Sequence, residues 1–336
     1  MIRPLIISAL ALTLVVPTAM AKKGDKVIVR AGTVAPEGTP WEQQMKQTRR
    51  YFRKASDGRI KVKVYFGGQK GDEKSLVRQC RDGRLEIVGV STAALATEAP
   101  ELRVLELPFL FDSTKMADYI LDDNYEAIKS MLLDYDYVMY QWAENGWQNI
   151  GMKDTFVKAP TALQGRKIRS QEAEIHLATW KAFGASPVEM PVSEVLQSLN
   201  TGRVDGFAQT PLYSFAAAWY RGIKFYSITK HLYQPAILVY SKKFFDKQEQ
   251  SIKDVLISDV ENQTKAGREG VRRLEPALLA NFKNYGIQVY ELTEAERQSF
   301  SGVAKEVRAV FEKSASKRGL DLLKSIEKSK AAYLSK

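Results

Sequence analysis

The sequence predicts an α/β protein built as two related lobes that face a common cleft. Two near-repeats carry that expectation: Ser75-Leu-Val-Arg-Gln-Cys-Arg-Asp-Gly-Arg-Leu-Glu-Ile-Val-Gly-Val-Ser91 and Glu194-Val-Leu-Gln-Ser-Leu-Asn-Thr-Gly-Arg-Val-Asp-Gly-Phe-Ala-Gln-Thr210. Each reads as an amphipathic helix stopped at a glycine, where a left-handed cap costs no Cβ clash, and followed by a short apolar strand. With Gly83 laid on Gly202, Cys80 meets Leu199, Glu86 meets Asp205 and Ser91 meets Thr210. Any two α/β loops can share such a pattern, so chance similarity is the alternative. The second observation is a β-α-β-α-β order at the start of the chain, the signature of a doubly wound parallel sheet. The third is length, since 336 residues at 45% hydrophobic content can bury two cores rather than one.

The elements follow in order. Val27 to Ala31 is a strand, and Thr39-Pro40-Trp41-Glu42 is a capping box opening a helix to about Ala55. Ile60 to Phe66 alternates as a second strand, Asp72 caps the helix that ends at Gly83, and Ile87 to Val90 is the third strand. Helices near Lys115 to Leu133 and a strand from Tyr137 to Trp142 come next. A second α/β run starts at Lys167-Ile-Arg169, passes through a helix from Glu172 to Phe183 and a strand near Pro187, and enters the repeat, where Ser193 is the expected cap. Ile223 to Ile228 and Ile237 to Tyr240 are strands able to cross between lobes. A long helical run from Lys247 to Asn284 and an amphipathic tail helix from Leu320 to Leu334 complete the chain.

Residues 1–21 read as an export leader: Arg3, an apolar run from Leu5 to Val16, Pro17, then Ala19-Met20-Ala21 as the cleavage site. A soluble, monomeric periplasmic product of about 315 residues follows, with no later segment apolar enough to span a bilayer. Cys80 is the only cysteine, which excludes an internal disulfide and a cysteine-based zinc site. The formal charge of +11 is spread along helices, as at Lys46, Arg49, Arg50, Arg53 and Lys54, the pattern of a solvated face. No nucleic-acid module is present, so the basic balance favours anionic ligands or acidic partner surfaces.

Catalysis has little to work with. His176 and His231 are the only histidines, and there is no P-loop, G-x-G-x-x-G or G-x-S-x-G pattern, so the expectation is no enzyme, no metal and no cofactor. Binding has more. Ligands of open α/β sheets collect beyond the carboxyl ends of strands, which makes Ser91 and Thr210 opposite walls of one pocket. Arg169 ends a short strand in the same crevice, where a guanidinium can hold a carboxylate by two parallel hydrogen bonds, although most strand-end arginines make surface ion pairs. The aromatics Trp41, Trp142, Trp147, Phe207, Tyr213, Trp219 and Tyr220 are candidate walls, although each taken singly is more often a core residue.

From about Val27 to Phe245 the motifs and their order resemble the extracytoplasmic solute-binding subunit of tripartite ATP-independent periplasmic (TRAP) transporters, the DctP-like family. The residues that carry the resemblance include Gly67-Gly-Gln-Lys-Gly-Asp72, Leu107-Pro108-Phe109, Gly165-Arg-Lys-Ile-Arg169, Phe183-Gly-Ala-Ser-Pro-Val-Glu-Met-Pro191, Thr201-Gly-Arg-Val-Asp-Gly206 and Tyr240-Ser-Lys-Lys-Phe. The resemblance implies a two-lobed periplasmic-binding-protein fold with crossing strands and a long connecting helix. Lobe I would hold residues 22–146 plus about 235–275, lobe II residues 147–234 plus about 276–315, and residues 316–336 would form a helical tail. It further implies capture of a small organic acid, delivery to an ion-coupled permease, and Arg169 as the residue that salt-bridges the ligand carboxylate. A non-transporting envelope scaffold on the same fold is the alternative from another class.

Two departures bear on specificity. Members that bind polar acids commonly carry Glu-Asn-Pro where this chain has Gln209-Thr210-Pro211, and often a second arginine where Asn145-Gly-Trp147-Gln148-Asn149 has none. The expected contacts are therefore Arg169, Thr210, Gln209, Ser91, Gln148, Trp147, Tyr213, Trp219, Trp41 and Phe207, and the ligand is expected to have a less polar body. The Trp219-Tyr220 pattern resembles a branch that handles hydrophobic carboxylates, sometimes with a tetratricopeptide-repeat partner protein.

Overall fold

The structure is a computed structural model that describes residues 25–336, so the expected leader lies outside the described residues. Among the described residues nine strands form one sheet: β1 (Val27–Thr33), β2 (Ile60–Tyr65), β3 (Ile87–Ser91), β4 (Tyr137–Met152), β5 (Lys167–Ser170), β6 (Ser186–Glu189), β7 (Gly206–Gln209), β8 (Phe225–Ser241) and β9 (Gln288–Glu291). Their order is β2-β1-β3-β8-β4-β7-β5-β6, with β9 pairing β8. Two parallel trios, β2-β1-β3 and β7-β5-β6, therefore flank the antiparallel pair β4 and β8.

The two lobes share a sheet because β4 and β8 are 16 and 17 residues long. At roughly 3.3 Å per residue, each spans about 50 Å, enough to run through both lobes, with β8 bordering β3 and β4 bordering β7. The sequence shows only their ends, since Tyr137 to Trp142, Ile223 to Ile228 and Ile237 to Tyr240 are pieces of these two strands. Between the pieces lie polar residues whose backbone groups still pair across the sheet.

The near-repeat is structural as well as textual. Gly83 and Gly202 adopt φ of +79° and +73°, and Cys80 and Leu199 are both fully buried. Leu85 N donates to Gln79 O at 3.2 Å and Val204 N to Ser198 O at 3.3 Å, the same bond in each unit. Glu86 accepts the Arg30 backbone N–H at 2.6 Å, and Asp205 accepts that of Lys167 at 2.9 Å. Ser91 ends β3 and Thr210 directly follows β7, and each caps the next helix, accepting from Ala94 N at 3.1 Å and Tyr213 N at 3.3 Å.

Some expectations are corrected. Thr39 starts the helix Pro40–Ala55 without a side-chain cap, because its hydroxyl donates to Pro36 O at 2.7 Å while Glu42 accepts from Gly38 N at 2.8 Å. Ser193 caps nothing, since Val192–Glu194 form a 3-10 turn and Glu194 precedes the helix Val195–Asn200. The long helical run is divided into Gln250–Leu256, Val260–Arg272 and Glu275–Asn284. Asp259 in a left-handed conformation makes the first break, and Pro276, which suits only the first turn of a helix, makes the second. The tail helix Lys317–Leu334 buries Leu322, Leu323 and Ile326 in the same apolar cluster as Val88, Val90 and Leu105. Among the described residues no helix is long and apolar enough to cross a membrane.

Candidate functional site

The carboxyl ends of β3, β5 and β7 point at one cleft between the trios, walled on the other side by the middle of β4 and β8. The cavity there encloses about 940 Å³ of space, counting its opening to solvent. Of the residues expected from sequence, Arg169, Thr210, Gln209, Ser91, Tyr213 and Trp41 line it.

Arg169 is 3% exposed and makes no ion pair with an acid among the described residues. Its Nε and Nη2 donate to Met190 O at 3.3 and 3.1 Å, and its guanidinium lies 5.3 Å from the centroid of the Trp219 ring. Nη1 is buried with no hydrogen-bond partner. A guanidinium fixed on one edge and one face, with its remaining end open, is oriented without being neutralised. Burial pushes it down to about 10, still far above neutral, so it presents a cation to the cleft. Leaving a charge in such a place is costly unless a counter-charge arrives.

Glu73 sits opposite, accepting from Ser91 N at 2.7 Å and Ser91 Oγ at 2.8 Å. Burial raises its pKa, while the Ser91 bonds and Arg169 oppose that rise. Ser91 thus spends its hydroxyl on Glu73 and on the Ala94 cap. Thr210 Oγ1 accepts from Tyr213 N and keeps its own proton free for the cleft. Tyr213 reaches across, its hydroxyl donating to Val34 O at 3.4 Å, and burial raises its pKa. A second bridge between the lobes is Lys74 with Glu172 at 3.3 Å.

Four expected contacts fall elsewhere. Trp219 backs Arg169 without lining the cleft, and Phe207 packs edge-on against Trp219 at 5.1 Å, because it lies two residues back from Gln209 along β7, about 7 Å deeper on the same face and within the core. Trp147 packs on Tyr233 at 5.2 Å and lines a small separate cavity. Gln148 is 1% exposed and bonds to other glutamines behind the cleft wall. Trp142 and Tyr220 are core.

The structure also brings in residues that sequence reasoning missed. Gln171 and Gln234 line the cleft and pair reciprocally, Gln171 Nε2 to Gln234 Oε1 at 3.2 Å and Gln234 Nε2 to Gln171 Oε1 at 3.1 Å. Gln234 Nε2 also donates to Glu106 Oε2 at 3.0 Å, and the same carboxylate oxygen lies 2.8 Å from His176 Nε2. His176 is therefore a buried bridge between lobes. The available signals were Glu73 directly after a cap residue and Gln234-Pro235 inside an apolar strand, neither of which singles out a ligand contact.

Residues 31–314 match the family described as bacterial extracellular solute-binding protein, family 7, DctP. The 2,3-diketo-L-gulonate-binding periplasmic protein of Escherichia coli K12 is 28% identical over 272 residues, 80% of this chain and 82% of its own length. The sugar acid binding protein of Advenella mimigardefordensis, solved in complex with galactonate, shares the fold at a TM-score of 0.85 and 27% identity, over 91% of this chain and 99% of that one. A TRAP periplasmic solute binding protein from Citrobacter koseri with bound D-glucuronate gives 0.83 and 28%, over 90% and 99%. With a family match across most of its length and a fold shared with solved members, this chain belongs to the DctP family of bacterial extracellular solute-binding proteins.

Proposed function

We propose that the chain captures a small organic acid between its lobes and hands it to the membrane subunits of a TRAP transporter, with no catalytic turnover. The observation that carries this reading is the buried Arg169 guanidinium, held by Met190 O and Trp219 and left with Nη1 unpartnered on the cleft. A ligand carboxylate would complete it with two parallel bonds, since Nη2 keeps a hydrogen after donating to Met190. Thr210 and Gln209 would add neutral hydrogen bonds, and Trp41, Val34 and Leu212 would cover the ligand's body. The names of relatives, which bind diketogulonate, galactonate and glucuronate, support a sugar acid as the ligand. Secretion would use the leader at residues 1–21, leaving a periplasmic protein whose mass begins at Lys22.

Native mass spectrometry of the protein purified from its own host tests the reading. An adduct of a few hundred daltons that is released on unfolding and proves to be a carboxylic acid supports it. A protein that carries no acid and whose melting temperature is unmoved by sugar acids contradicts it.

A further inference from the structure

The charges around the cleft do not follow those of the molecule. The chain carries a formal +11, yet the cavity is lined by two cations, Arg169 and Lys74, against four acids, Asp72, Glu73, Glu144 and Glu172. Lys74 is paired with Glu172, and Glu144 with Arg272 at 2.9 Å. Asp72 caps its helix through Ser75 N at 2.7 Å. That leaves Arg169 as the one cation facing a ligand without a partner among the described residues, and Glu73 as an acid held only by neutral donors.

A chain of amides supplies the remaining polarity, and Glu106 sets its direction. A carboxylate accepts only, so Gln234 must turn Nε2 toward Glu106 and Oε1 away from it. Gln234 Oε1 then accepts from Gln148 Nε2 at 2.9 Å. Gln148 Nε2 also approaches Gln209 Oε1 at 3.4 Å, and that oxygen accepts from Thr210 N at 2.8 Å. Each amide in the series is fixed by the one before it. The outcome is that Gln209 shows its acceptor to the protein and its Nε2 donor to the cleft.

We infer that the cleft accepts acids with a single carboxylate and a neutral remote end, and discriminates against dicarboxylates of the same size and shape. Arg169 meets one negative charge, the Glu106-Gln234-Gln148 series presents Gln209 as an uncharged donor to a carbonyl or hydroxyl, and Glu73 repels a second carboxylate. The inference rests on the proposed carboxylate reading and adds to it which acids are refused. Rejection by an unmatched charge discriminates more sharply than loss of one contact, because a second anion would be dehydrated beside a fixed acid.

The experiment is calorimetric titration with two matched pairs that differ at one terminal carbon, D-galactonate against galactarate and D-gluconate against D-glucarate. The inference expects at least one monoacid to bind and its diacid to bind at least about 30-fold more weakly. Glu73→Gln should narrow that ratio several-fold, and Glu172→Gln, on a more exposed side chain, gives a second variant if the first does not fold. A diacid that binds wild type as tightly as its monoacid overturns the inference and leaves the carboxylate reading standing. If neither pair binds and no other acid shifts the melting temperature, the carboxylate reading falls and takes the inference with it.

Discussion

Glu86 and Asp205 do the same job in the two lobes, each carboxylate accepting the backbone N–H of the neighbouring parallel strand, from Arg30 at 2.6 Å and from Lys167 at 2.9 Å. They differ in surroundings. Glu86 is 7% exposed and also holds the Arg30 guanidinium, whereas Asp205 is only half-buried. Removing a buried acceptor leaves its donor unsatisfied, so Glu86→Ala should cost about 1–3 kcal/mol of stability and Asp205→Ala less. Urea unfolding of both variants checks this, and equal losses would mean that burial does not set the difference.

Closure should turn on the crossing strands. The ladder of β4 and β8 slips between Glu144 and Gly146, opposite Pro235 and Gln234, and Gly146 has φ of +102°. The same ladder also slips between Met139 and Gln141 and between Gln148 and Ile150, but only the slip at Glu144–Gly146 faces a proline that lacks its N–H, which makes it the weakest of the three. Ligand binding is expected to shrink the radius of gyration in small-angle scattering by favouring the arrangement in which Tyr213 bonds Val34 and Lys74 pairs with Glu172 across the cleft. Gly146→Ala should strain this point by about 1–3 kcal/mol. A ligand of measured affinity that produces no compaction contradicts the hinge.

His231 ties acid stability to the core of the second lobe. It is packed against Trp180 and Phe183, its Nδ1 lies 2.7 Å from Thr229 Oγ1, and burial, aided by His176 and Arg297, pushes its pKa down to about 3 from 6.5. A depressed value in the folded state means that its contribution is complete above pH 6.5 and is lost as the pH falls toward about 3. Between pH 7 and 4.5 the loss should reach about 2–3 kcal/mol, at about 1.4 kcal/mol per unit of pH. Urea midpoints for wild type and His231→Gln over that interval are the check: the variant starts lower and falls less, and parallel curves would contradict the assignment.

The lobes were legible in the sequence because a helix stopped by glycine and followed by an apolar strand is a local pattern, and Gly83 and Gly202 need no distant partner to form it. Caps were less legible. Thr39 looks like a helix cap, yet its hydroxyl finds the Pro36 carbonyl first, and nothing in the sequence ranks the two acceptors. Arg169 was readable as a strand-end residue in the crevice, as were Ser91 and Thr210. Phe207 and Trp147 were misplaced because an aromatic residue near a site in the sequence carries no sign of whether it stands at the cleft or packs in the layer beneath it. Gln234 and Glu106 were illegible for another reason, and Gln148 was expected at the cleft rather than behind its wall: their hydrogen bonds join elements far apart in the chain, and a glutamine acquires a direction only once its neighbours are known.

The central claim is that Arg169 waits in the cleft for a carboxylate. Truncation to alanine would leave the ligand's charge buried and unpaired, which should cost about 2–5 kcal/mol of binding, or roughly 30-fold to several-thousand-fold in affinity. Arg169→Lys should recover only part of that, because lysine cannot reproduce the fork or the stacking on Trp219. Thr210→Ala, which removes one neutral hydrogen bond to the ligand, should cost about 0.5–1.5 kcal/mol of binding. Isothermal titration of these variants with the acid that co-purifies with the wild-type protein is the most direct measurement. The account predicts the order wild type, Thr210→Ala, Arg169→Lys, Arg169→Ala from tightest to weakest, and an Arg169→Ala protein that binds as tightly as wild type would contradict it.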